Sequence, residues 1–210
     1  MASDRPYVIG IAGASGSGKT ALAHALAARL GADQSLVLPL DAYYHDLSDL
    51  PLAKRAQHNF DTPDAIDWML FRTQLVALIE GQTIQRPIYN YATHTRMVDS
   101  IPIESFPYII VDGLLAFVSD PVRQKLQTKV FVETPDAVCL ERRIARDVDE
   151  RGRTRESVVQ QFAQTVRPMF ERYVAPTRQY ADIIVRGDRP LELAVDTALA
   201  HVQSAGLRLH

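Results

Sequence analysis

Cysteine is almost missing from this 210-residue chain, where Cys139 stands alone. A single thiol makes no intrachain disulfide framework and no zinc site that needs two thiolates, and it fits a reducing, cytoplasmic home. Long apolar runs are missing as well. No eighteen consecutive residues are apolar and no basic-then-apolar leader opens the chain, so neither a membrane span nor a secretory signal is expected. Charge of one sign is not in excess either: 23 Lys+Arg against 25 Asp+Glu leaves a formal −2, which gives no global field to hold nucleic acid or an anionic membrane. Any site for a polyanion must therefore be local. What is present is ordinary globular material, 47% hydrophobic and 23% charged, enough for one sizeable core. The length suits one domain, and no repeat, low-complexity tract or Ser/Gly linker marks a boundary.

Five short apolar runs without alternation read as strands buried on both faces: Tyr7–Ala12, Leu36–Leu40, Tyr108–Val111, Lys129–Val132 and Asp182–Val185. Between them lie helical patterns over Lys19–Leu30, Asp64–Glu80 (opened by Thr62-Pro63), Pro135–Asp149, Arg155–Arg172 and Leu191–Gln203. The alternation predicts a doubly wound α/β layer fold with a parallel sheet flanked by helices. Thr83–Glu104 breaks the rhythm with β-formers, prolines and polar residues, and reads as a small β-hairpin excursion.

The strongest local signal is Gly13-Ala14-Ser15-Gly16-Ser17-Gly18-Lys19-Thr20, which satisfies G-x-x-x-x-G-K-[ST] with a strand before it and a helix after it. Such a loop points backbone N–H groups of Gly13, Ser15, Gly16, Ser17 and Gly18 at phosphate oxygens, and the helix behind adds its N-terminal partial charge. Lys19 neutralises the β- and γ-phosphates and the Thr20 hydroxyl can ligate Mg²⁺. The motif predicts NTP binding and names no acceptor.

Ligands of open α/β sheets lie beyond the carboxyl ends of the strands, so Asp41 and Asp112 draw attention. Asp41 is placed either to take the proton of an attacking hydroxyl or to cap a helix. Asp112 either holds the Mg²⁺ shell or belongs to an Asp-Gly turn. Arg142, Arg143, Arg146, Arg151 and Arg153, interspersed with acids, form either a solvated helix face or a lid that closes over a triphosphate. Cys139, among apolar neighbours, reads as a core residue.

With these positions fixed, the chain resembles the uridine/cytidine kinase family of P-loop nucleoside kinases in its bacterial form. The likeness runs from about Val8 to Gly187 and rests on the phosphate loop, Asp41-Ala42-Tyr43-Tyr44 with Asp46, Asn59–Ala65, Pro87–Arg96 and Asp112–Leu115. It continues through Arg142–Asp147, Glu150–Arg153, Gln161, Val166–Phe170 and Pro176–Asp182. It implies a P-loop NTPase-type fold in which the hairpin (about 83–104) covers the acceptor site and an Arg-rich lid (about 142–155) closes over the donor. It also implies transfer of the γ-phosphoryl of ATP or GTP, with Mg²⁺, to the 5′-hydroxyl of uridine or cytidine in a cytoplasmic homotetramer. Residue by residue, the resemblance makes Asp41 the base on that hydroxyl, and Asp61, Arg143 and Gln161 partners of the ribose hydroxyls. The pyrimidine falls among Tyr89, Tyr91 and His94, with Arg153 nearby. Arg146 and Arg151 fall to the phosphates, and Thr20 and Asp112 to the metal. Arg142 points another way on the helix and is expected to be structural, and Asn90 has no assigned role.

Tyrosine faces suit a flat base, and a histidine can donate to O4 of uracil or accept from N4 of cytosine by choice of tautomer. Asp112 departs from the family's usual Glu by one methylene, which favours a water between it and the metal. Two rival readings remain. A P-loop kinase for a sugar phosphate or pantothenate needs no Tyr89/Tyr91/His94 clamp, and a nucleotide switch has no use for Asp41 together with Asp61 and lacks here the guanine-reading N-K-x-D.

Overall fold

The computed structural model describes residues 5–55 and 57–207, apart from the side chains of residues 151, 206 and 207. Seven strands, β1 (Tyr7–Gly13), β2 (Ser35–Pro39), β3 (Ile84–Asn90), β4 (Thr95–Ile103), β5 (Tyr108–Asp112), β6 (Thr128–Glu133) and β7 (Ile183–Arg186), form two sheets. The helices are α1 (Lys19–Leu30), α2 (Leu52–Arg55), α3 (Trp68–Ile79), α4 (Asp120–Arg123), α5 (Asp136–Arg151), α6 (Arg155–Gln161), α7 (Arg167–Met169) and α8 (Leu191–Leu207). No helix among the described residues is long and apolar enough to cross a membrane.

The main sheet is parallel throughout, in the order β2-β5-β1-β6-β7. Its strands lack a polar alternation because both faces are covered. In β1, Val8 and Ala12 face the core built with Phe71, Leu75, Leu78 and Phe117, whereas Ile9 and Ile11 face α1 and α8 through Leu22, Leu26, Ala198 and Val202. Register brings the strand ends level, for Asp112 pairs with Ile11 of β1 and with Pro39 of β2. The phosphate loop, Asp41 and Asp112 thus share one rim of the sheet.

Three boundaries differ from the sequence expectation. Asp41 is neither in a strand nor at a helix cap but inside a 3-10 turn, Leu40–Tyr43, whose cap position is Pro39. Thr62-Pro63 opens only a 3-10 turn (Pro63–Ala65), and α3 starts at Trp68, where the Asp67 carboxylate accepts from Leu70 N at 3.0 Å. An aspartate that can take an orphan N–H wins the cap over the earlier threonine. The helix expected over Arg155–Arg172 is regular only to Gln161. It then runs through two π-turns, Phe162–Val166 and Phe170–Val174, with α7 between them.

The hairpin pairs β3 and β4 antiparallel with a register shift between Pro87 and Tyr89. Its tip is shaped by Asn90, whose Oδ1 accepts from the N–H groups of Ala92 and Thr93 at 3.0 and 3.2 Å. His94 at φ 55 is the one non-glycine with positive φ among the described residues. Arg96 fastens the hairpin to the Asp41 turn, since its Nη2 donates to Tyr44 O at 2.8 Å and its Nη1 pairs with Asp67 at 3.2 Å. Asp46 accepts from Arg96 N at 2.9 Å.

Candidate active site

The phosphate loop is packed from behind by α5. Gly16 has φ 82, and a Cβ there would run into the carbonyl oxygen of Cys139, so only glycine lets the loop and helix approach so closely. Cys139 is a buried core residue, and burial pushes its thiol up to about 11, which leaves it inert. Arg142 clamps the loop from outside, donating to Gly187 O at 2.9 Å and Ser17 O at 3.4 Å, and it also lines the donor cavity. That cavity, about 460 Å³, runs from Gly18, Lys19 and Thr20 to the first turn of α8. Arg146, Arg186 and Arg189 edge it. Arg186 and Arg189 had no role in the sequence analysis; the available signal was their position at the end of β7 and three residues beyond it.

Thr20 Oγ1 donates to Asp112 Oδ2 at 2.7 Å. The other oxygen, Asp112 Oδ1, is buried and meets no hydrogen-bond partner among the described residues. Burial raises the Asp112 carboxyl above the usual range, while Lys19 and the Thr20 hydrogen bond pull it back. No group of three or more His, Cys, Asp or Glu among the described residues forms a metal cage. A hydroxyl with one nearby carboxylate nonetheless suits Mg²⁺, which keeps several waters and takes its remaining ligands from phosphates. The buried acceptor left over on Asp112 fits that role.

Asp61 follows the Asn59-Phe60 corner, where Asn59 Oδ1 accepts from Asp61 N at 3.1 Å. Burial raises its carboxyl, Arg143 opposes that, and Asp41 adds to it, with Lys19 and Arg146 also within electrostatic reach. Asp41 and Lys19 both lie within electrostatic reach of Asp61. Arg143, itself buried, donates to Ser15 Oγ at 2.8 Å and to Gln161 Oε1 at 3.0 Å, and so joins the phosphate loop to α6. Arg153 donates to the same Gln161 oxygen. Gly152 at φ 62 ends α5 in a left-handed cap, and Arg153 N folds back onto Asp147 O at 3.1 Å, which aims the Arg153 side chain inward. Arg153 and Gln161 line a second cavity of about 400 Å³ between residues 57–59 and α6. Arg151 ends α5, and its side chain lies outside the described residues.

The aromatic residues form one cluster. Tyr89 contacts Tyr44 and Tyr91 edge-on with centroids 5.4 and 5.5 Å apart, and Phe60 stacks on His94 at 4.9 Å and 17°. His58, on the second cavity, meets Phe60 at 4.9 Å and connects cluster and cavity. Tyr89 is 7% exposed, yet its hydroxyl has no hydrogen-bond partner among the described residues; burial pushes its pKa above that of ordinary tyrosine and keeps it protonated. A buried hydroxyl of this kind is costly unless something else completes it. Tyr44 and Phe60 carried no role in the sequence reading, although they stand in the segments that support the resemblance.

A glycine-rich loop at a parallel sheet's rim, with Lys19 and a carboxylate from each of two neighbouring strand ends, defines an NTP-dependent P-loop phosphotransferase. Comparison with known proteins narrows this. The chain belongs to the phosphoribulokinase/uridine kinase family, whose model matches residues 8–191. A uridine kinase of Chloroflexus aurantiacus is 44% identical over 203 residues, covering 97% of both chains. One from Leuconostoc citreum is 45% identical over 183 residues, 86% of this chain and 87% of the relative. The crystallised phosphoribulokinase of Rhodobacter spheroides shares the fold with a TM-score of 0.66 at 16% identity, over 90% of this chain and 75% of that one. The protein is thus a kinase of this family.

Proposed function

We propose that this kinase transfers the γ-phosphoryl of ATP or GTP, with Mg²⁺, to the 5′-hydroxyl of uridine or cytidine. The observation that carries the reading is the junction at Phe60-Asp61. Asp61 lies within electrostatic reach of Asp41, Lys19 and Arg143, while its neighbour Phe60 stacks on His94 in the tyrosine cluster. A polar pocket able to bind ribose hydroxyls therefore adjoins aromatic faces able to hold a base, as an acceptor nucleoside requires and a sugar phosphate does not. The uridine kinase relatives at 44–45% identity support the same acceptor.

In this reading Lys19 and the loop N–H groups hold the donor phosphates, and Arg146 and Arg151 neutralise charge on the moving phosphoryl. Asp61, Arg143 and Gln161 fix the ribose, so that the 5′-hydroxyl is presented in line to the γ-phosphorus. Asp41, fixed in its 3-10 turn, orients that hydroxyl and accepts its proton. Tyr89, Tyr91, His94 and Arg153 hold the base, and the orphan Tyr89 hydroxyl gains a partner there. Thr20 and Asp112 are the residues that would hold Mg²⁺, and that ion, when bound, would neutralise charge developing on the donor phosphates. Positioning and charge do most of the work, because phosphoryl transfer asks for little covalent help. The chain acts as one kinase unit, with the 83–104 hairpin over the acceptor and the 142–155 segment as lid, as a homotetramer in the cytoplasm.

The test is NDP release from Mg²⁺–ATP and Mg²⁺–GTP with uridine, cytidine, thymidine, adenosine, ribulose 5-phosphate, pantothenate or no acceptor. Stimulation by the two pyrimidine ribonucleosides alone is expected. Stimulation only by the sugar phosphate or pantothenate, or release that needs no acceptor, would overturn the acceptor assignment while leaving the phosphate loop intact.

A further inference from the structure

Asp147 lies on α5, wholly buried, and it pairs with several arginines. Its Oδ1 accepts from Arg146 Nε at 2.9 Å and pairs with Arg146 Nη2 at 2.8 Å. Its Oδ2 stands 3.5 Å from Arg143 Nε and 3.7 Å from Arg153 Nη1, within ion-pair range but longer than a hydrogen bond. Arg146 edges the donor cavity, whereas Arg153 and Gln161, the partner of Arg143, line the second one. One buried carboxylate is thus shared between the donor side and the acceptor side.

We infer that Asp147 is a positioning residue that couples the two sites: filling the donor cavity draws Arg146 off Asp147 and hands the carboxylate to Arg143 and Arg153. The inference rests on the assignment of these arginines under Proposed function. Three guanidiniums around one carboxylate repel one another, and the interior screens that repulsion poorly. A triphosphate offers more negative charge and more acceptor oxygens than Asp147, and the Arg146 side chain is 34% exposed, so it has room to swing. Its departure removes a like charge and lets Asp147 close on Arg143 and Arg153. Both are already aimed, Arg143 by Ser15 and Gln161, Arg153 by the Gly152 cap and the same Gln161 oxygen. The acceptor site is therefore preorganised when donor is bound, and linkage requires that nucleoside tighten nucleotide by the same factor.

The experiment is calorimetric binding of uridine, with and without saturating Mg²⁺ and the β,γ-imido analogue of ATP, to the full chain, Asp147→Asn and Arg146→Ala. In the parent protein the analogue is expected to tighten uridine by about fivefold or more. In Asp147→Asn, which keeps shape but loses charge, that ratio falls to within about twofold. Arg146→Ala carries a sharper signature and keeps the question decidable should Asp147→Asn not fold. Removing Arg146 from Asp147 permanently, it brings uridine affinity without analogue up toward the parent's analogue-bound value, which a purely structural arginine would not do. Coupling that survives in Asp147→Asn, absence of coupling in the parent, or unchanged uridine affinity in Arg146→Ala overturns the inference. A parent protein that binds the analogue but never uridine overturns the acceptor assignment itself, and the inference with it.

Discussion

Thr20 and Asp112, ninety-two residues apart, meet at the rim of the sheet, the Thr20 hydroxyl donating to Asp112 Oδ2 at 2.7 Å. The bond commits the hydroxyl proton to the carboxylate, which leaves the Thr20 oxygen its lone pairs for another ligand. On the proposed reading, Asp112→Asn weakens the metal shell. We expect turnover to drop by about 10–100-fold and the Mg²⁺ concentration for half-activity to rise, read from a Mg²⁺ titration at saturating ATP. An unchanged Mg²⁺ dependence would separate Asp112 from the metal.

Asp41→Asn keeps the turn and its size but cannot take a proton. Turnover should fall by about 10²–10⁴-fold while uridine still binds within about threefold of the parent, as measured by single-turnover kinetics beside calorimetry. Near-normal turnover would remove the base assignment.

His94 stacks on Phe60 and does not line the cavity at the phosphate loop, so its loss should be felt at one substrate only. His94→Ala is expected to raise KM for uridine by about tenfold or more and leave KM for ATP within about twofold. Equal weakening of both would sink the base-reading role.

Arg142 ties the phosphate loop to the β7–α8 connection through Gly187 and Ser17. Arg142→Ala should cost about 1 kcal/mol in urea unfolding and weaken ATP without altering uridine affinity in the absence of nucleotide. A loss of uridine affinity of the same size would place Arg142 in the acceptor site instead.

Burial raises the Asp61 carboxyl more than Arg143 lowers it. A carboxyl whose folded-state value is raised binds protons more readily folded than unfolded, so its contribution to stability falls as pH climbs from the ordinary aspartate range through the raised value. Asp61→Asn should therefore melt higher than the parent at neutral pH, by about 2 °C or more, with the gap closing toward the ordinary aspartate value. The same substitution should weaken uridine. A lower melting point at neutral pH would contradict burial as the dominant influence.

The five parallel strands were legible in the sequence because burial on both faces demands continuous apolar runs, and each lay within a residue or two of its expected place. The hairpin was legible too, from the failure of any helical face over Thr83–Glu104. Helix starts were less so, because Thr62-Pro63 carries the usual opening signal while the cap is made by the Asp67 carboxylate on Leu70 N. For the site, the phosphate loop is contiguous and its chemistry follows from its own eight residues. The residues proposed for the acceptor were named only through the resemblance, since nothing local links Asp61 to His94.

Sequence alone marked out a phosphate-binding loop, because the backbone of one short segment can cradle phosphate wherever a strand feeds a helix. It also determined which side chains were chemically able to meet an acceptor. Tertiary structure decided which of them share a charge. Ser15 bonds to Arg143 across 128 residues, Arg142 to Gly187 across 45, and Arg143, Arg146 and Arg153 converge on Asp147. Those relations depend on the α5 packing depth that Gly16 permits and on the backward turn at Gly152, and the physical reason is geometric. Electrostatic partnership is set by distance and burial, and these arise only when separate elements are packed against one another.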